Sequence, residues 1–251
     1  MSAPLTEFSG TLVTANKPFQ LISGTPCSQV PAGFPACDHV EESVVPAETL
    51  GKRYFVAPPT GDSGQATSHV VRLIGNVDGT ALTYPGGAPG GAPAFLSAGQ
   101  TVDLSIIGQA FEVVGDKEFA VVTLLLGASL ASQDETMADP SMSIPTPVEQ
   151  YRRKYVFLAP TDYDVSYADV IGEASAVLTL DDLPVQAAAT PLSSGYVIRR
   201  IQLAETNGGA HVLISDSPVG LRVIGYGQYT SYQYPGGMNL ELIAPPPPVP
   251  Q

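Results

Sequence analysis

The chain contains no tryptophan and only two cysteines, and 14% of its residues are charged, against about 25% in an ordinary domain. Basic residues are scarce: 11 Lys and Arg stand against 24 Asp and Glu, a formal net charge of −13. A chain this acidic offers no basic face, which excludes nucleic acid and anionic lipid as partners. No apolar run approaches the ~20 residues that span a bilayer, so membrane insertion is not expected. No cationic stretch followed by an apolar one opens the chain as a leader would. No segment reads as a convincing helix. The run Ala120–Leu126 is apolar enough for one, but its length, β-branching and flanking glycine favour a buried strand.

What is abundant is glycine and proline, 25 and 24 residues of 251, in a chain that is 44% apolar. That combination predicts many short strands joined by turns around a real core. The length suits one large all-β domain or two modules of about 100–130 residues. An internal repeat favours the second. Asn16, Asp116 and Asp216 lie 100 residues apart, as do Phe19, Phe119 and Val219. Each set sits in an apolar segment broken by a tight Asx turn, which predicts a β-hairpin at 13–24, 113–123 and 213–225. Arg53–Pro58 is matched by Lys154–Pro160, and Gly99–Leu104 by Gly195–Ile201. The expected fold is therefore all-β: two tandem β-sandwich-like modules built from a repeat of about 100 residues, the first completed by an N-terminal hairpin. The boundaries fall as a tail (1–8), a first module (9–148), a second module (149–243) and a proline-rich linker (244–251). An extended polyproline exit suggests a segment of a longer modular protein.

Candidate chemistry is sparse. Nine residues lie between Cys27 and Cys37, too many for a redox Cys-x-x-Cys site. The pair reads as a disulfide closing a Pro/Gly loop, which would place the chain in an oxidising compartment; two reduced, buried thiols are the alternative. His39, His69 and His211 are far apart and none has a metal-ligand spacing. The stretch Gly61–Gly64 resembles the surroundings of some protease serines but reads as a turn. Of the acidic groups, Asp162 and Asp164 are the candidate calcium ligands, two apart in a loop; no other cofactor is expected. Two tyrosine groups stand out: Tyr163 with Tyr167, and Tyr226, Tyr229, Tyr232 and Tyr234. Tyrosine gives rigid amphipathic contact area at low entropic cost, so these six are the candidate binding residues. Packing between strands or modules is the competing reading.

The run from Ser9 through Cys27 to Cys37-Asp38-His39, the segment Pro46–Val56, then Asp139–Met142, Glu149-Gln150-Tyr151 and the closing Ser231–Gly237 resemble the N-terminal domain of the IgG Fc-binding protein family. The resemblance covers about residues 9–238. It implies an extracellular, non-enzymatic domain near the head of a large modular protein, of the kind found in mucus-associated animal proteins and bacterial surface or secreted proteins. Two departures matter: animal members carry many cysteines, and Asp139-Pro140 is followed here by Ser141, so the self-cleaving Gly-Asp-Pro-His sequence of some mucin-type modules is absent. The expected function is a non-catalytic cell-surface recognition or adhesion module with a glycan or protein partner, immunoglobulin Fc by resemblance alone. A purely structural assembly module and a glycan-acting hydrolase are the alternatives. No carboxylate pair singles itself out for the hydrolase, which needs two of them across a cleft.

Overall fold

The computed structural model describes residues 8–35, 37–132, 134–204 and 209–245. The tail before residue 8 and the linker beyond 245 lie outside them. The chain is all-β, 47% strand and 6% helix. A disulfide-closed ribbon comes first, β1 (Ile22–Ser28) paired with β2 (Asp38–Ser43). Next come β3 (Arg53–Val56), β4 (His69–Gly75), β5 (Thr80–Thr83), β6 (Phe95–Leu96), β7 (Thr101–Ile107), β8 (Phe111–Gly115), β9 (Phe119–Leu125) and β10 (Met142–Ser143). The rest are β11 (Arg152–Leu158), β12 (Val165–Glu173), β13 (Leu178–Leu180), β14 (Leu183–Pro184), β15 (Ala189–Pro191), β16 (Tyr196–Gln202), β17 (Ala210–Gly227) and β18 (Thr230–Pro235).

Strands of the first half form two sheets, in the orders β3-β8-β5-β6 and β10-β9-β4-β7. Alternating residues of both fill one core: Tyr54 and Val56, Phe111 and Val113, Val71 and Leu73, Phe119 and Val121. In the second half, residues 210–215 of β17 pair with β11 and β13, and residues 220–227 pair with β12 and β18. The single long β17 thereby joins everything after residue 150 into one eight-stranded network. The pairing order follows that of the first half, with β11, β13, β12, β16 and β18 in the places of β3, β5, β4, β7 and β10.

The three expected hairpins are not hairpins. Residues 13–20 form no strand; pairing starts at Ile22 and runs to β2 rather than to strands of residues 51–150. Pro18 has no N–H to give to a ladder, and the Cys27–Cys37 disulfide (Cα atoms 5.1 Å apart) holds together the strands on either side of its own loop. The ribbon is nonetheless docked, with Val30 and Val40 buried and the Gly127 N–H donating to the Val30 carbonyl (2.9 Å). The turn at Asp116 joins β8 to β9, which belong to different sheets, and β17 continues through Asp216 without a turn, its register with β11 shifting between Ile214 and Val219. Both aspartates clasp a neighbouring strand. The Asp116 carboxylate accepts the Ala81 N–H (2.8 Å) and that of Asp216 accepts the Val177 N–H (3.0 Å). The tyrosines of the second matched segment also act alike. Tyr54 OH donates to the Phe119 carbonyl and accepts the Gly51 N–H, while Tyr155 OH donates to Val219 and accepts the Arg152 N–H.

A buried ion cluster locks the two halves. Asp169 of β12 is 2% exposed. Its carboxylate accepts the Thr60 N–H (3.1 Å) and hydroxyl, Arg222 Nη2 (2.8 Å) and Arg200 Nη1 (3.3 Å). The same guanidiniums donate to the carbonyls of Pro58 (2.9 Å) and Ala57 (3.1 Å) in the first half. Beside them, burial and the Arg222 and Arg200 charges push the fully buried His69 imidazole well below its usual range, so it stays neutral. A second contact lies nearby: the Arg53 guanidinium sits 5.0 Å from both the Phe55 and Tyr196 rings and bonds Glu112 (2.7 Å). Removing one member of a buried ion cluster leaves the others uncompensated. Asp169→Ala is therefore expected to destabilise the protein by about 3–5 kcal/mol in urea unfolding; a loss within the range of a surface substitution would contradict the lock.

Candidate functional site

The two tyrosine segments meet at one end of the second half. β17 turns into β18 through Gln228 and Tyr229, with Gly227 opposite Thr230. Tyr229 takes a left-handed backbone (φ 56°), held by its N–H to the Thr136 carbonyl (2.7 Å). Such a conformation suits glycine or asparagine better, so a tyrosine here is displayed at a local cost. The residue is 62% exposed. The 161–164 loop is fixed to the same place by the Asp164 N–H donating to the Tyr226 carbonyl (2.9 Å).

From that loop a column of rings runs along β18. Tyr163 meets Tyr232 edge-on at 4.7 Å, and Tyr232 lies near-parallel to Tyr234 at 6.0 Å. Tyr163 OH is 3.3 Å from the Thr230 hydroxyl, and Tyr232 OH donates to Ser166 Oγ (3.0 Å). Tyr234 OH accepts the Leu158 N–H (3.1 Å) and donates to the Leu158 carbonyl. A cavity of about 320 Å³ opens beside Tyr163, lined also by Thr161, Asp164, Ser166, Gln202 and Leu203. Its wall thus combines an aromatic face with a carboxylate, an amide and hydroxyls.

Tyr167 and Tyr226 stand apart from this surface. Both are buried, and their hydroxyls donate to the carbonyls of Asp62 (3.0 Å) and Thr60 (2.7 Å) across the junction of the halves. They join Leu125, Ala138 and Ile224 in a third core cluster. Any ligand contact through the six tyrosines therefore falls to Tyr163, Tyr229, Tyr232 and Tyr234. Asp162 and Asp164 are exposed, and among the described residues no three His, Cys, Asp or Glu side chains gather as metal ligands would. Calcium needs six to eight oxygens, more than this pair supplies. The Gly61–Gly64 stretch is a turn, Gly64 N–H donating to the Gly61 carbonyl (2.9 Å). His211 is buried with Nδ1 2.7 Å from Asp181. Among the described residues its Nε2 has no hydrogen-bond partner.

Sequence reasoning missed Thr60, Asp169, Arg200 and Arg222. The available signal was a charge set inside an apolar strand: Asp169 within Tyr167–Ile171, Arg200 between Ile198 and Ile201, and Arg222 between Leu221 and Val223.

The sequence profile of the IgGFc binding protein family matches residues 4–225, and the chain belongs to that family. A human protein named IgGFc-binding protein is 27% identical over 186 residues, which is 73% of this chain and 3% of that protein. The chain thus spans a small part of its curated relative's length. No solved structure matches it.

Burial raises the phenols of several tyrosines in the two halves. Desolvation pushes Tyr155 and Tyr232 up to about 12, and it drives Tyr54 and Tyr226 up as well. Unfolded tyrosine ionises near 10, so above that value the unfolded state sheds protons that the folded state retains. Stability is fully present below pH 10 and is lost as pH climbs from 10 through about 12. Urea unfolding followed across that window should show the midpoint falling as tyrosinate absorbance appears; a flat midpoint would contradict the burial of these hydroxyls.

Proposed function

We propose that the chain is a non-catalytic extracellular recognition module, composed of two β-sandwich modules derived from one repeat. Its ligand is a surface protein or glycan that contacts the Tyr163–Tyr229–Tyr232–Tyr234 surface. The observation that carries this reading is Tyr229. A large aromatic residue, 62% exposed, stands on a left-handed turn position, in the turn that leads into the β18 strand carrying Tyr232 and Tyr234. Burial does not explain a ring placed there. Family membership supports a binding role. The name of the human relative ties that protein to immunoglobulin Fc, which makes a protein partner of that kind the first to try; glycans and mucins follow because stacked rings with flanking hydroxyl, amide and carboxylate groups also suit sugars. An extracellular setting agrees with the disulfide.

Binding to immobilised IgG Fc, mucin and a glycan array tests the reading. At least one surface is expected to retain the protein. Tyr229→Ala and Tyr163→Ala should each weaken that binding about tenfold, as central aromatic contacts do. Tyr229→Ala should leave unfolding unchanged to within about 0.5 kcal/mol. Binding that survives both substitutions would move the site elsewhere.

A further inference from the structure

The two halves carry one equivalent sheet face each, and only one of them is covered. In the first half the outward residues of β3 and β8 are Arg53 and Phe55, paired with Val114 and Glu112. That face is closed by the second half: Phe55 stacks on Tyr196 at 4.3 Å, and Glu112 accepts the hydroxyls of Ser193 and Ser194 at 2.6 Å each. Phe55 is consequently 3% exposed. In the second half the residues in the same places are Lys154 and Val156 of β11, paired with Ile214 and Val212 of β17. Among the described residues nothing covers them: Val156 is 69% exposed, Ile214 42%, Leu158 on the same face 54% and Val177 beside it 64%. Apolar side chains therefore replace Phe55 and Glu112 on a face that the fold buries in its other half.

The charges around this face are polar along the strands. Arg152, Arg153 and Lys154, all exposed, stand at the start of β11. Asp181 and Asp182 form the β13–β14 turn toward the other end; Asp182 is exposed, while the Asp181 carboxylate is held by His211 Nδ1 (2.7 Å) and the Val212 N–H (2.8 Å). Two copies stacked face to face about a two-fold axis perpendicular to the strands reverse the strand direction. That puts the basic end of each over the acidic end of the other. A two-fold axis along the strands would instead set like charges together. We propose that this face joins two copies of the chain in an isologous, strand-reversed dimer. The seven residues of β11, a matching stretch of β17 and the three residues of β13 together cover on the order of 300 Å². That reaches the size of functional apolar patches and falls short of the ~800 Å² per partner of a standard interface. The dimer is therefore weak, forming at concentrations of about 0.1 mM and above.

Sedimentation equilibrium of the whole chain over a concentration series tests the proposal. The weight-average mass should climb from the 26.1 kDa monomer toward twice that value. Val156→Asp lies on the exposed centre of the patch and should raise the dissociation constant at least tenfold while leaving the thermal unfolding curve in place. Lys154→Gln or Asp182→Asn, which neutralise one end, should each raise it several-fold; asparagine is chosen because it keeps the left-handed backbone at 182 (φ 63°). A mass that stays at the monomer value throughout, or association by Val156→Asp equal to that of the parent chain, would overturn the proposal. If the mass rises and Val156→Asp abolishes the rise, but both neutral variants associate as the parent does, the strand-reversed arrangement is wrong.

Discussion

A carboxylate with 2% of its surface exposed is the constraint on which the arrangement of this molecule depends. Asp169 lies in a strand of the second half, yet Thr60 of the first half supplies two of its hydrogen bonds, and the two arginines that neutralise it also reach backbone carbonyls of Ala57 and Pro58. Isolating such a charge from water is costly unless every partner is in place. The cluster therefore forms only when the two halves dock in one geometry, and it fixes the segment 57–62 against β12 and β17. Tyr167 and Tyr226 add hydroxyl bonds to the same segment, which is why these two tyrosines are structural while their sequence neighbours are displayed.

That division bears on recognition. The proposed ligand surface, made from the 161–164 loop and the β17–β18 turn, keeps its shape because both segments are anchored by backbone hydrogen bonds, Asp164 to Tyr226 and Tyr229 to Thr136. Thr136 precedes the bridge of Met137 to Gln228, so residues just before β10 help hold a turn of the second half. Rigid display of aromatic rings lowers the entropy lost on binding. An acidic chain keeps its copies apart at long range, consistent with a self-contact that appears only at high concentration.

The strand content and the buried-strand reading of Ala120–Leu126 were legible in the sequence because they rest on alternation and β-branching. The functions of the spaced residues were less so. Asp116 and Asp216 read as turn formers, and the structure uses their carboxylates to clasp Ala81 and Val177 on a neighbouring strand, a contact between residues more than 30 apart that local chemistry does not encode. For the same reason a strand–turn–strand pattern does not tell pairing within one sheet from crossing between two, since both bury apolar residues on either flank. The N-terminal segment was misread because its hydrophobicity outweighed Pro18. At the candidate site, the meeting of Tyr163 with Tyr232 is long-range and was reached only as two separate segments. Tyr232 and Tyr234 have alternate-strand spacing, which fits packing and display equally.

Native-state hydrogen exchange compares the two halves directly. If the Asp169 cluster makes them one cooperative unit, the slowest amides of β4 and β9 and those of β12 and β17 should open with the same free energy. Asp169→Asn should lower both sets together. Two distinct plateaus in the parent chain, or a loss confined to the second half, would show that each half is stable by itself and would contradict the central place given to this buried carboxylate.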